Sequence, residues 1–147
     1  MGLLIAYRGV RPRLAPDVFV AENAVITGDV EIGPGSSIWY GVAIRGDSAP
    51  IRIGARVNVQ DNSVIHADAD APVTIADDVT VGHRAIVHGA TIGPRALIGM
   101  GAVLLSRSTI GSGAVVGAGA LVVEDATVAD GELALGAPAR SRRSVTT

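Results

Sequence analysis

Cysteine is absent from this chain, which excludes disulfides and every thiolate metal site. Any metal must therefore be held by nitrogen and oxygen. Aromatic residues are scarce, at 3%, although 48% of the chain is apolar, so the core has to be built from aliphatic side chains. No apolar run is long enough to cross a bilayer as a helix, and no leader-like segment opens the sequence. A soluble, cytoplasmic protein without a membrane partner is expected. An excess of one charge is missing as well: 12 basic and 14 acidic side chains leave a net charge of −2. That balance gives no reason to expect nucleic acid or a charged surface as partner. At 147 residues, one domain spanning 1–147 is expected.

What the chain has in abundance is a period of six. Branched aliphatics recur at Leu14, Val20, Ile26, Ile32, Ile38 and Ile44, then at Ile53, Val59 and Ile65, then at Ile75, Val81 and Val87. The series continues through Ile92, Ile98, Leu104, Ile110, Val116, Val122 and Val128. Four places after each, the chain prefers Val or a smaller residue, as at Ala24, Ser36, Ser63, Ala85, Ala102 and Ala120. Gly often follows the aliphatic directly, as at Gly33, Gly82 and Gly99, and is expected there for backbone angles that a side chain resists. Neither an amphipathic helix nor an alternating strand has this period. Hexapeptide repeats are the signature of a parallel β-helix, in which three repeats close one triangular coil and stacking on neighbours buries what a single coil cannot. The fold class is all-β, with coils at about 14–135 and a short C-terminal tail at 136–147. Between Ile44 and Ile53, and between Ile65 and Ile75, the period stretches, so loops at 46–50 and 68–72 should leave the corners. Between Val87 and Ile92 it contracts, and the register slips at His88.

The three histidines, His66, His83 and His88, sit at fixed phases of this repeat. The position just after the inward aliphatic on one face reads Thr27, Arg45, His66, His88, Leu105, Val123, which stacks His66 and His88 about 4.8 Å apart. A column on another face reads Glu22, Tyr40, Asp61, His83, Met100, Ala118. Two imidazoles from one chain and His83 from a second would complete a three-nitrogen set at the seam of a homotrimer, with Arg45 near Asp61 of the neighbour. Both columns turn apolar beyond the site, as a permanent interface requires. Three neutral imidazoles leave a tetrahedral zinc with an open fourth position, the arrangement of catalytic sites, where a water becomes a nucleophile near neutral pH.

The run Trp39-Tyr-Gly-Val-Ala-Ile-Arg45-Gly-Asp47 is followed by Asn58-Val-Gln60-Asp61-Asn62, His66 and Val81-Gly-His83-Arg-Ala-Ile-Val-His88-Gly89. With Leu97-Ile-Gly-Met-Gly-Ala102 and Leu135-Gly-Ala-Pro138-Ala139, these resemble the γ-class carbonic anhydrase family over about Leu14 to Arg140. The resemblance implies a left-handed parallel β-helix and a trimer. It implies zinc, with iron or cobalt as alternatives, held by His66 and His88 of one subunit and His83 of another. It also implies an intersubunit ion pair of Arg45 with Asp61, and Asn58 and Gln60 lining the site. The activity implied is that of a zinc lyase: a metal-activated hydroxide attacks carbon dioxide, a small-molecule substrate, to give bicarbonate.

Departures from the family pattern are specific. Ser48 stands where one branch has Glu. The acidic loop that carries that branch's proton-shuttling Glu is here only 67–72, leaving Asp68 and Asp70 as possible relays. Ala90 replaces a common Cys, and 141–147 is too short for the usual long terminal helix, leaving room for a turn or two. Asp47 remains a candidate beside the site. Trp39 and Tyr40 read as interface packing, and Arg140, Arg142 and Arg143 as a solvated terminus. Three functional classes stay open: a metal-hydroxide enzyme acting on carbon dioxide or on a small ester or thioester; a hexapeptide acyltransferase with one His as general base; and a catalytically silent trimeric scaffold.

Overall fold

The computed structural model describes residues 1–146, and among them it contains strands but no helix. The strands stack in parallel into the three walls of a β-solenoid of hexapeptide repeats. One wall runs from Leu3–Ile5 through Val25–Ile32, Ala43–Ile53, Val64–His66, Ile86–His88 and Val103–Leu104 to Leu121–Val122. A second joins Arg13–Leu14, the ends of Val25–Ile32 and Ala43–Ile53, Val73–Ile75, Thr91–Ile92, Thr109–Ile110 and Thr127–Val128. The third joins Phe19–Val20, Ser37–Ile38, Asn58–Val59, Thr80–Val81, Leu97–Ile98, Val115–Val116 and Glu132–Leu135.

The period of six explains this packing. Every aliphatic of the series from Val20 to Val128 is buried, and so are most of the small residues four places on, among them Ala24, Ser36, Ser63, Ala85 and Ala120. Each buried Val or Ile contributes roughly 1.5–3 kcal/mol relative to exposure, and because partners come from the coils above and below, that gain exists only in the stack.

The glycines after the aliphatics play a different part from the one expected. Gly33, Gly82 and Gly99 do not have positive φ; they are places where neighbouring coils nearly touch. A Cβ on Gly99 would lie 2.5 Å from the Ala118 nitrogen, and one on Gly33 2.7 Å from the Gly54 carbonyl carbon. Left-handed backbone occurs two residues later instead, at Gly35, Arg84 and Gly101, and at the equivalent corners Arg56, Asp78 and Arg95 of other coils. The Arg56 guanidinium there pairs with the Asp78 carboxylate on the next coil, at 2.6 and 2.9 Å.

Two of the expected irregularities take a defined form. The chain from Ala43 to Ile53 stays in one strand and bulges between Gly46 and Ile51, so that Asp47 to Pro50 oppose Asp29 alone. Residues 68–71 make a tight turn closed by the Ala71 N–H donating to the Asp68 carbonyl at 3.0 Å. The contraction is absorbed just past His88, at Gly89 with φ +61°.

The pairing reaches beyond 14–135 at both ends. Leu3–Ile5 adds a strand before it, and Arg140–Ser144 folds back antiparallel on Glu132–Leu135. Within the tail, Arg140–Ser144 is therefore an exposed strand: Gly136 and Pro138 oppose helix, and the last coil offers unpaired backbone groups to pair with.

The walls differ outward. The second carries Arg13, Glu31, Arg52 and the threonines Thr74, Thr91, Thr109 and Thr127 at its surface positions. The first exposes Leu3, Ile5, Val64 and Ile86, and the third, with the corner that follows it, exposes Phe19, Trp39, Tyr40, Leu97 and Met100. Two walls thus present apolar surface of the kind that marks an interface.

Candidate metal centre

The parallel register places Thr27 against Arg45, Arg45 against His66, and His66 against His88, as the column count expects. His66 Nδ1 and His88 Nε2 come to 3.0 Å, with ring centroids 5.0 Å apart. The opposite nitrogen of each ring is also engaged. His66 Nε2 lies 3.0 Å from Asp47 Oδ1, and His88 Nδ1 lies 3.1 Å from Ser106 Oγ. The bulge after Gly46 is what turns Asp47 back along the wall to reach His66. Arg45 pairs with the other Asp47 oxygen. Burial alone would raise the Asp47 carboxyl, but hydrogen bonds from His66 and Arg45 outweigh it and hold it below the ordinary carboxylate value.

His66, Asp68 and His88 offer ligand atoms within 4.8 Å of one another, yet they do not form a common three-ligand set. His88 turns Nε2 toward His66 and Nδ1 toward Asp68, 3.6 Å away, so Asp68 lies on the far side of the ring from the gap between the imidazoles. Its carboxylate accepts from the Ser106 hydroxyl at 2.6 Å. That hydrogen bond holds its pKa below the usual range. Asp70 points elsewhere, to Arg107 at 3.3 Å.

His83 follows Thr80–Val81 on another wall, and within one chain it is not brought to His66 and His88. Its Nδ1 lies 3.1 Å from Asp61 Oδ2, which leaves Nε2 as the nitrogen available to a ligand. With Trp39, Asn58, Gln60 and Asp61 it lines a pocket of about 250 Å³, while Arg45, His66 and His88 line one of about 280 Å³ on the first wall. Trp39 is more than packing here. Its Nε1–H donates to Asn58 Oδ1 at 2.8 Å, and the Ser37 hydroxyl reaches the same oxygen at 3.1 Å. An indole N–H can only donate, so the Asn58 amide is oriented with its NH₂ as the end open to other partners. Arg45 and Asp61 do not meet within one chain; each has a local partner, Asp47 and His83.

The donor set suits a divalent cation. Two nitrogens held at about 2.0–2.1 Å by one tetrahedral zinc stand about 3.3 Å apart, so the His66–His88 gap needs to open by only a few tenths of an ångström. Each ring is backed on its outer nitrogen by an oxygen partner, as metal-binding imidazoles usually are. Ser106 is the one participant that counting did not reveal. It stands three hexapeptides beyond His88, but the contraction after Val87 moves Leu105 into the column position and hides it.

A model of the family described as "Bacterial transferase hexapeptide (six repeats)" matches residues 89–124. The chain is 52% identical to a protein named "Carbonic anhydrase" from Geobacillus kaustophilus, covering 98% of this chain and 79% of that one. It is 43% identical to "Gamma carbonic anhydrase 2, mitochondrial" from Arabidopsis thaliana over 92% of this chain, and spans 51% of that protein's length. A solved structure from Bacillus cereus, titled a putative acetyltransferase, superposes with a TM-score of 0.97 at 44% identity, covering 98% of this chain and 84% of the other.

Proposed function

Because the chain belongs to the γ-class carbonic anhydrase family, we propose that it is a homotrimeric carbonic anhydrase whose three metal sites are shared between subunits. The observation that carries this is the pair of half-sites on the two apolar walls. His66 and His88 line one pocket, and His83 with Asn58 and Gln60 lines the other. Apposing the first wall of one protomer to the third wall of the next buries the exposed Val64, Ile86, Leu97 and Met100 and closes both pockets into one. His83 of the neighbouring protomer then completes the three-nitrogen set. Arg45 exchanges Asp47 for Asp61 across the seam.

A divalent ion, zinc in this reading, would be held by His66 and His88 with His83 of the neighbouring protomer, and would supply the Lewis acidity that makes water nucleophilic toward carbon dioxide near neutral pH. The chain's own groups do the rest. Asp47 and Asp61 hold His66 and His83 by their outer nitrogens. The Asn58 NH₂, oriented by Trp39 and Ser37, donates to a substrate or product oxygen, with Gln60 beside it. Protons leave toward solvent past Asp68, which lies at the exposed edge of the site. We place the protein in the cytoplasm; among the described residues no helix is long and apolar enough to cross a membrane.

Elemental analysis of the purified protein, sedimentation, and carbon dioxide hydration with and without chelator test the proposal together. Stoichiometric metal in a trimer with chelator-sensitive hydration supports it. A metal-free protein that transfers acyl groups would establish the acyltransferase reading instead, and a metal-loaded but inactive trimer the scaffold.

A further inference from the structure

We propose that Ser106, anchored by Asp68, is a positioning residue that fixes the tautomer of His88, so that the lone pair of Nε2 faces His66. The inference deepens the metal-site reading above and rests on it for its functional meaning.

The argument is a count of protons. Ser106 Oγ touches Asp68 Oδ2 at 2.6 Å and His88 Nδ1 at 3.1 Å. The hydroxyl has one proton to give, and an ionised carboxylate can only accept. The 2.6 Å separation is that of a charge-assisted O–H···O⁻ bond, so the proton goes to Asp68. Two oxygens that close without a proton between them would repel. Ser106 then has only lone pairs left for His88, and His88 Nδ1 must be the donor. A neutral imidazole protonated at Nδ1 carries its lone pair on Nε2, the atom that lies 3.0 Å from His66 Nδ1. Asp47 does the same for His66 directly, at 3.0 Å. Each outer nitrogen thus donates away from the gap, and both inner lone pairs face each other across it. A divalent cation between them satisfies both, as does one proton shared across the 3.0 Å gap.

Three segments converge to build this relay. Asp68 comes from the tight turn closed at Ala71, Ser106 from the corner after Val103–Leu104, where it is 8% exposed, and Gly89 passes between them. A Cβ on Gly89 would lie 2.8 Å from Ala71 Cβ and 3.0 Å from Ser106 Oγ, so the close approach of hydroxyl to imidazole depends on a glycine there. Arg107, next to Ser106, ties the turn down through Asp70.

Two measurements on the full-length, metal-stripped protein test the assignment. Long-range proton–nitrogen correlation spectra of the imidazoles above neutral pH should show His88 as the Nδ1–H tautomer in the unsubstituted protein. Ser106→Ala and Asp68→Ala should both shift it toward Nε2–H, and Ser106→Thr, which keeps the hydroxyl, should restore it. Zinc titration should give an affinity roughly 10–100-fold weaker for Ser106→Ala, the usual effect of losing an outer partner, and regained in Ser106→Thr. An unchanged His88 signal in either alanine variant overturns the inference. So does an unchanged zinc affinity in Ser106→Ala where the unsubstituted protein binds zinc. If the unsubstituted protein binds no zinc, the metal-site reading fails, and the tautomer spectra still decide the role of Ser106.

Discussion

Replacing Gly89 by Ala adds one methyl group where backbone angle and space are both restricted, and its effect can be divided in advance. The residue has φ +61°, a conformation that costs an L-residue with a Cβ about 1–2 kcal/mol. The added carbon would lie 2.8 Å from Ala71 Cβ and 3.1 Å from the Ala71 carbonyl oxygen. Ordinary carbon contacts are about 3.5–4.0 Å, so the turn at 68–71 must move by most of an ångström, and overpacking of this kind costs about 1–3 kcal/mol. The alanine also reduces the entropy of the unfolded chain, which returns about 0.4–1 kcal/mol. The net expectation is a loss of about 1–5 kcal/mol, centred near 3. Gly113→Ala is the control: its φ is +64°, but nothing lies within 4 Å of the new Cβ, so it carries the backbone term alone, about 1 kcal/mol net. Urea unfolding at one fixed protomer concentration reads both, since subunit association enters the measured stability. If the two variants lose the same stability, the packing of Gly89 against the turn is not what the geometry indicates.

Further outcomes follow from the site and the surface. His83→Ala should abolish metal binding and weaken the trimer in parallel, because metal binding and assembly are coupled through that ligand; full metal occupancy by elemental analysis in an intact variant trimer contradicts this. Arg45→Ala should lower trimer stability while leaving all three imidazoles in place, and sedimentation unchanged on dilution removes the intersubunit pair with Asp61. The Arg56 hydrogen bond holds the Asp78 carboxyl below its ordinary value. A lowered carboxylate pKa stabilises the fold above the unfolded value of about 3.9 and stops doing so as pH falls through the folded one. Arg56→Ala should therefore lower the denaturant midpoint at pH 6, and the difference should disappear in strong acid; a difference constant down to the acid limit rules out the ion pair as its source.

The period of six, read residue by residue, places the inward aliphatics and the small corner residues, and it puts His66 above His88 on one wall with His83 on another. These are consequences of local spacing, because parallel coils repeat their register from one turn to the next and a residue's phase decides which way it points. The resemblance drew on the same residues, so it reached the family but not the contacts. Gly33 and Gly99 show the limit: composition marked them as glycines needed for conformation, whereas their φ angles are ordinary and the constraint is the neighbouring coil. Trp39 shows it again: its aromatic character indicates packing, whereas its indole N–H donates to Asn58 Oδ1. The terminal segment is short, as its length indicates, but only the open edge of the last coil decides that Arg140–Ser144 pairs there as a strand.

By itself the sequence determined the architecture and which imidazoles share a column, since stacking at a fixed period is a short-range rule. Only the tertiary structure decided what stands behind those imidazoles. Asp47 reaches His66 because a bulge turns it back along the wall. Ser106 and Asp68, 38 residues apart, meet at His88 because a contracted repeat and a tight turn bring two corners together. Hydrogen bonds of 2.6–3.1 Å depend on how the coils close in three dimensions, and that closure is summed over the whole stack.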